Sequence, residues 1–469
     1  MARRWKVLLV TSVAVFMALL DVTIVNIAFP DIRRSFPDSL SDLSWILNAY
    51  NVVFAAALVP AGRFADRIGR RRVFLAGLVT FLAASLMCGL AGTVEILIAA
   101  RVVQALGAAA VVPTSLSLIL PEFPIERRAT ATALWTATGA VAAATGPSLG
   151  GALVEWQGWR WVFFVNLLIG VAAFLPARRL LRESRDDATT SWPDSLGAGW
   201  LAVAVGLLAL AMVKGEDWSW SSPGVLGALA VSAMLFFAFG LRSARHPVPV
   251  VEPALFRIRS FTVSNIGSFV FGAGFYAVLL CNVLFLTGVW RYNILTAGAV
   301  MTVGPLTAAL AAVIGGRLAD RFGQRAVLMP GGLAFGAGTL MLGVLTTEQA
   351  AYLSTFLPAT LLIGLGSGLC LPAFGSAAVA ELPRSRFATG VAISVCFRQG
   401  GAVVGVAGLV ALLRAGGQAE GLASFQRAYL VIGLAGLLTT AIAAALGRVH
   451  ARDVWDLSES AAPVPDSVR

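Results

Sequence analysis

The sequence predicts an all-α polytopic membrane protein with fourteen transmembrane helices, and three observations predict it. Of 469 residues, 58% are hydrophobic and only 13% charged, where an ordinary soluble protein has about 25% charged. Apolar stretches of about twenty residues, the length that crosses a bilayer core, recur along nearly the whole chain. The basic residues fall in alternate breaks between those stretches. A soluble globular enzyme is excluded by this composition. A disordered chain would be poor in hydrophobic residues, and an outer-membrane barrel would alternate apolar and polar residues over about ten positions.

Charge clusters and Gly/Pro turns separate the spans. The first, 7–29, follows Arg3, Arg4 and Lys6 and continues past Asp21 through IVNIAFP, so its signal-like start reads as a retained helix. Spans follow at 43–61, 73–91, 94–119, 130–153 and 160–177, broken by segments such as GRFADRIGRRR, PEFPIERR and QGWR. Two more lie at 195–213 and 223–241, between ARRLLRESRDD and LRSARHPVP. The last six are 261–289, 295–315, 326–346, 352–380, 388–412 and 425–447, broken by WRYN, GRLADRFGQR, TTEQ, ELPRSR and RAGGQAEG.

The charge distribution tests this division. Of 35 Lys and Arg, 26 fall in the N-terminal segment, alternate loops and the tail, and seven on the opposite side. Arg101 and Arg398 lie within spans. The split follows the positive-inside rule and places both termini in the cytoplasm. It also accounts for the net charge of +11 without nucleic acid as a partner. Cys88, Cys281, Cys370 and Cys396 stand singly in apolar stretches, a spacing that suits neither disulfides nor a metal site. The two lysines, Lys6 and Lys214, end no phosphate-binding GxxxxGK[ST] loop, and both histidines lie in cytoplasmic segments. No catalytic residue, metal or cofactor is therefore expected, and the chain does not read as an enzyme. No channel filter is visible, and the 22-residue tail after Gly447 is short for a sensor domain.

An internal repeat divides the chain. GRFADRIGRRR begins at Gly62 and GRLADRFGQRA at Gly316, each after a descending span. The offset of 254 residues covers eight spans, where a plain duplication of six would cover six. The expected domains are a six-helix bundle over 1–180, an inserted helix pair over 195–241, a second six-helix bundle over 255–447, and a cytoplasmic tail over 448–469. Duplicated halves with a substrate site between them near the midplane are a recurring plan of secondary transporters.

Four motifs carry a family resemblance. GRFADRIGRRR, with Gly62, Asp66, Arg67, Gly69, Arg70 and Arg71, resembles the loop 2–3 signature of the major facilitator superfamily. Gly316, Asp320 and Arg321 belong to its second copy. LLDVTIVNIAFP, with Asp21, Thr23, Asn26 and Pro30, resembles the first-helix signature of the fourteen-helix drug:H+ antiporters. ILIAARVVQALGAA resembles their fourth-helix signature through Arg101, Gln104 and Gly107, with Ala105 where glycine is usual. TGPSLGG, with Gly146, Pro147, Gly150 and Gly151, resembles the antiporter signature of helix 5, with Ala142 replacing an upstream glycine. The resemblance implies a proton-coupled exporter of small amphipathic compounds, in drug or antibiotic efflux. It implies a proton gradient as the energy source, with substrate, protons and lipid bilayer as partners. A monomer in a bacterial inner membrane is the expected form. Export of an endogenous metabolite or lipid, or proton-coupled import of a small nutrient, are the alternatives.

Ionisable groups within a membrane are costly and usually functional. Asp21 is the one acid deep in a span, about 21 Å along from Val7 and about 13 Å below the face where the first span ends. Arg101 lies about 10 Å below the same face. Burial disfavours a carboxylate and a neighbouring cation favours it, so the pair suits a switchable charge. A structural Asp bonded to Thr23 or Asn26, and an Arg held by backbone carbonyls, are the plainer readings. Arg398 near the middle of span 13 either binds an anionic substrate group, pairs across the halves, or supports packing. Asn26, Asn48, Tyr50, Asn51, Tyr276, Asn282 and Gln399 are the remaining cavity candidates.

The loop repeat suits gating, with Asp66 stabilised near a helix N-terminus and Arg70 reaching Glu122 or Glu126. Topology-setting charge alone is the simpler account. Gly146, Pro147, Gly150 and Gly151 suit either a hinge or close packing.

Overall fold

The computed structural model describes residues 2–124, 127–185, 194–247, 249–382, 387–414 and 421–446. It contains fourteen long helices, and no strand among the described residues. The first six are α1 (Arg3–Ser35), α2 (Leu40–Ile68), α3 (Arg70–Leu90), α4 (Val94–Ile119), α5 (Arg128–Gln157) and α6 (Trp161–Leu180). Two more follow, α7 (Ser195–Trp218) and α8 (Pro223–Arg245). The rest are α9 (Arg259–Gly288), α10 (Ile294–Phe322), α11 (Gln324–Leu345), α12 (Leu357–Val379), α13 (Phe387–Arg414) and α14 (Leu422–Ala444). Thirteen have the length and apolar composition to cross a membrane. α5 matches them in length, at 30 residues, and is built largely of Ala, Thr and Gly.

Most helices overrun the apolar spans that predict them. α1 reaches Arg3 at one end and Arg33 and Arg34 at the other, because long basic side chains cover apolar surface while their charged heads stay in water. The expected span 352–380 is not one regular helix. Tyr352–Phe356 form a wide π turn before α12, with the Phe356 amide donating to the Ala351 carbonyl at 3.3 Å. Pro358, at the start of α12, has no N–H to continue the regular ladder, and a widened turn absorbs the mismatch.

Among the first six helices, α1 packs on α4, α5 and α6, and α4 packs on α2 and α3. In the later six, α9 packs on α12, α13 and α14, while α12 packs on α10 and α11. Two seams join the sets, α2 against α13 and α5 against α10. α7 lies against both α2 and α13, and α8 packs on α7.

The two repeat copies fold alike at their turns. Gly69 joins α2 to α3 with φ +124°, and Gly323 joins α10 to α11 with φ +85°. Both values lie where a Cβ is strongly disfavoured. These glycines mark one end of the helix array, called here the repeat face; the other end is the far face.

Candidate functional site

Asp21 and Arg101 form an ion pair inside the first six helices, with the side chains 0% and 1% exposed. Arg101 Nη1 donates to Asp21 Oδ2. Oδ1 accepts from the side-chain amides of Gln104 and Asn166, each at 2.9 Å. Ser85 of α3 anchors both amides, accepting from Gln104 at 3.3 Å and from Asn166 at 3.1 Å. It donates in turn to the Phe163 carbonyl at 2.9 Å. Three helices, α3, α4 and α6, thus supply the polar shell of one carboxylate on α1.

Arg101 is held on its other sides as well. Its Nε donates to the Ile46 carbonyl at 3.1 Å, and Nη1 also donates to Gln104 Oε1 at 2.7 Å. The guanidinium lies over the Tyr50 ring, 4.1 Å from its centre. Burying two charges costs several kcal/mol each, recovered only when geometry and hydrogen bonds are good; here both conditions are met. Chemically the site presents a carboxylate that accepts three N–H donors, two on Oδ1 and one on Oδ2.

Thr23 and Asn26 are not its partners. Thr23 donates to the Leu20 carbonyl at 3.0 Å and Asn26 to the Val22 carbonyl at 2.7 Å, each satisfied within its own helix. The other candidates are dispersed. Gln399 donates to Asn51 across the α2–α13 seam at 3.3 Å, and Tyr276 lies beside Arg398. Asn48 is fully buried with neither amide atom bonded. Asn282 accepts from the Tyr429 hydroxyl at 2.9 Å, which places it in the α9–α14 contact and away from the seam.

The loop motif is wired differently from the sequence expectation. Asp66 lies in the last turn of α2 and accepts from Arg70 Nε at 2.9 Å. Arg70 does not take Glu122, which pairs with Arg3 at 3.1 Å; Glu126 lies outside the described residues. The N-terminus of α3 is capped instead by Glu183, which accepts from the Arg71 and Arg72 amides at 3.0 and 3.3 Å. Arg71 also donates to the Arg178 carbonyl at 2.8 Å. A Cβ at Gly69 would meet the Glu183 carboxylate at 2.6 Å, so glycine is required there twice over. In the second copy, Gly316 faces open space and Arg321 lies over the Phe322 ring at 5.2 Å. The Asp320 side chain lies outside what is described.

The glycines of α5 serve two partners. A Cβ at Gly146 would meet Thr23 Oγ1 at 2.0 Å, and one at Gly150 would meet Ile24 at 2.8 Å, so this face is pressed on α1. Gly151 faces α10, where a Cβ would meet the Ile294 carbonyl at 2.9 Å. Pro147 shares that contact, since a Cβ on Gly298 would meet its carbonyl at 2.3 Å. The motif therefore packs one face of α5 on α1, beside Asp21, and another on α10 of the opposite set.

With this geometry in hand, comparison with known proteins decides the family. The family model described as Major Facilitator Superfamily matches residues 11–256 and 264–466. The chain belongs to the major facilitator superfamily. Among its relatives is the multidrug resistance protein Stp of Mycobacterium tuberculosis, 34% identical over 87% of this chain and 75% of that one. The methylenomycin A resistance protein of Streptomyces coelicolor is 32% identical over 90% and 88%. A POT family transporter crystallised with a thioalcohol conjugated peptide shares the fold, with TM-score 0.68 at 15% identity over 93% of this chain and 94% of that one.

In this major facilitator chain, several site residues escape sequence reasoning. Asn166 and Ser85 are ordinary polar residues in apolar spans, and only knowledge of which face of α6 meets α1, and which face of α3 meets α4 and α6, singles them out. Arg63 is one of a basic cluster, and it bonds across the halves, donating to Thr389 at 2.8 Å and to Glu252 at 3.3 Å. On the far face, Lys214 of α7 bonds Asp42 at 2.7 Å. Arg414 of α13 donates to Asp217 of α7 at 2.8 Å and also to Ser41 of α2. Each of these charges stands at a span end, but nothing in the sequence places the ends of spans 2, 7 and 13 side by side.

Proposed function

We propose that this multi-pass membrane protein is a proton-driven exporter of small amphipathic compounds, drugs or antibiotics among them, working by alternating access. The observation that carries this reading is the buried Asp21–Arg101 pair. Protonation of Asp21 removes the counter-ion of Arg101. The guanidinium then keeps Gln104 Oε1, the Ile46 carbonyl and the Tyr50 face, so the pair separates without leaving the cation bare. Separation loosens α1 from α4. The α5 glycines pass that movement on, because they seat against Thr23 two residues beyond Asp21 and against α10.

The moving units are the bundles 1–180 and 255–447, with the pair 195–241 riding on the α2–α13 seam. The repeat face is cytoplasmic and the membrane is the bacterial inner membrane, in keeping with the positive-inside charge split and with the bacterial relatives. The protein works as a monomer without an organic cofactor. Relatives named for resistance to methylenomycin A and puromycin support efflux over nutrient import.

Susceptibility of a sensitive bacterial host, with and without expression, tests the reading. A panel containing methylenomycin A, tetracenomycin C and puromycin, each repeated with a protonophore, is suitable. Expression raises tolerance to at least one compound, and the protonophore abolishes the gain. Protection that survives the protonophore, or none across the panel, overturns it.

A further inference from the structure

We infer that Arg398 is the receptor for an anionic group on the exported compound, so that the substrates are amphipathic acids. This rests on the export reading and narrows its substrate class.

Arg398 is the twelfth residue of the 28-residue α13, about 17 Å from its start, at mid-membrane depth. Three arginines at the helix contacts described above each have an acid. Arg101 has Asp21, Arg63 has Glu252, and Arg414 has Asp217. Among the described residues no carboxylate pairs with Arg398, and the Tyr276 phenol lies beside it. A fixed cation within the membrane and without an acid is a site for an anion.

The surroundings suit one kind of anion. Arg398 lines a cavity of about 10 Å³ with Ser268, Ser394, Phe271 and Phe374. The two serine hydroxyls are 3.4 Å apart, beside a guanidinium whose planar fork matches a carboxylate. The two phenyl rings belong to a packed aromatic group, with Phe271 6.3 Å from Phe374. A space of this size holds about one water molecule, so a carboxylate head enters only when the helices around Arg398 part along the adjoining seam. The body of the compound must then lie along the adjoining seam. There Gln399 keeps an unbonded, buried Oε1 and Asn48 an unbonded amide, groups able to meet neutral polar substituents. A cationic compound finds no acid here, because Asp21 is already paired with Arg101.

The test uses the full-length protein in lipid nanodiscs and three probes sharing one ring system. These are 2-naphthoate, 2-naphthamide and 2-naphthylmethylammonium, carrying negative, zero and positive charge, with binding followed by calorimetry. Naphthoate binds about tenfold or more tighter than the ammonium, the scale of a charge-assisted hydrogen bond. Arg398→Gln removes that advantage while the amide keeps its affinity, which also shows that the variant is folded. If Arg398→Gln fails to fold, Arg398→Lys replaces it, and loss of the bidentate fork weakens naphthoate about threefold or more. Equal or tighter binding of the ammonium, no binding of naphthoate, or naphthoate affinity indifferent to the substitution overturns the inference. Naphthoate binding without proton-driven export would sink the export reading alone. Export of cations without naphthoate binding would sink only this one.

Discussion

Arg63 of α2 donates to the Thr389 hydroxyl of α13 at 2.8 Å, and so ties the two halves together at the repeat face. The same guanidinium bonds Glu252 at 3.3 Å, just before α9. Further along the same seam, Cys396 donates its thiol to the Ala55 carbonyl at 2.9 Å and is buried. Removing the tie should let the halves part more often on this side. Loss of a charged hydrogen bond of about 1 kcal/mol changes that population about fivefold. In a background with Cys88, Cys281 and Cys370 replaced by Ala, Arg63→Ala should speed modification of Cys396 by N-ethylmaleimide by that factor. An unchanged rate would show that the tie does not govern opening.

The ion pair at Asp21 separates a structural from a coupling role. Asp21→Asn leaves Arg101 charged, buried and without its acid, which costs about 3–5 kcal/mol; lower thermal stability is expected. Arg101→Gln in the same chain removes the orphaned charge and should restore most of that stability. Transport should not return, because neither variant has a group to carry the proton. Unfolding midpoints and pH-gradient-driven uptake into everted vesicles check this pair of outcomes. A double variant that regained proton-driven flux would take the pair out of the coupling mechanism.

What the sequence made legible follows from how isolated each signal was. Asp21 and Arg101 were single charges in otherwise apolar spans, and depth counting placed them at similar levels. The repeated Gly69 and Gly323 were visible because the motif recurred in register, and both take positive φ. The rest depended on helix faces, which one sequence does not reveal. Asn166 and Asn282 look alike in sequence, yet one bonds Asp21 and the other bonds Tyr429. Glu183 stands in the break after the sixth span, and nothing there signals that it caps α3, a contact made by loop geometry. The reach of Arg70 to Glu122 failed because Arg3, at the start of an α1 longer than its apolar span, had taken that acid.

Close packing of α5 on α10 leaves no room at Gly151. A Cβ there would meet the Ile294 carbonyl at 2.9 Å and the Leu295 Cα at 3.2 Å, both backbone atoms that no rotamer change can move. At Gly139 the nearest atom is the end of the Leu19 side chain at 3.1 Å, which can turn aside. Overpacking of a tight contact costs about 1–3 kcal/mol. Gly151→Ala should therefore lower the unfolding midpoint in detergent and slow transport, while Gly139→Ala leaves both near the parent. Equal effects would show that α5 and α10 yield at this contact as readily as a side chain does.

The far-face cluster makes a signed statement about pH. Asp217 lies just beyond the apolar part of α7. Partial burial pushes its carboxyl upward, but the Arg414 hydrogen bond and the charges of Arg414 and Lys214 outweigh it and hold the group below its ordinary value of 3.8. The charged groups around it are Arg414 of α13, Lys214 of its own helix and, beyond Lys214, Asp42 of α2. A lowered folded value means that the contribution is complete above the unfolded carboxylate range and is lost as pH falls through the folded value. Asp217→Asn removes the contribution at every pH. The unfolding midpoint of the parent should exceed that of Asp217→Asn by about 1–2 °C, the scale of a partly exposed ion pair. That gap should stay constant from about pH 8 to pH 5 and close only below about pH 4. A gap that shrank between pH 7 and pH 5 would mean that Asp217 titrates above its ordinary range and that its bonds to Arg414 and Lys214 do not hold it ionised.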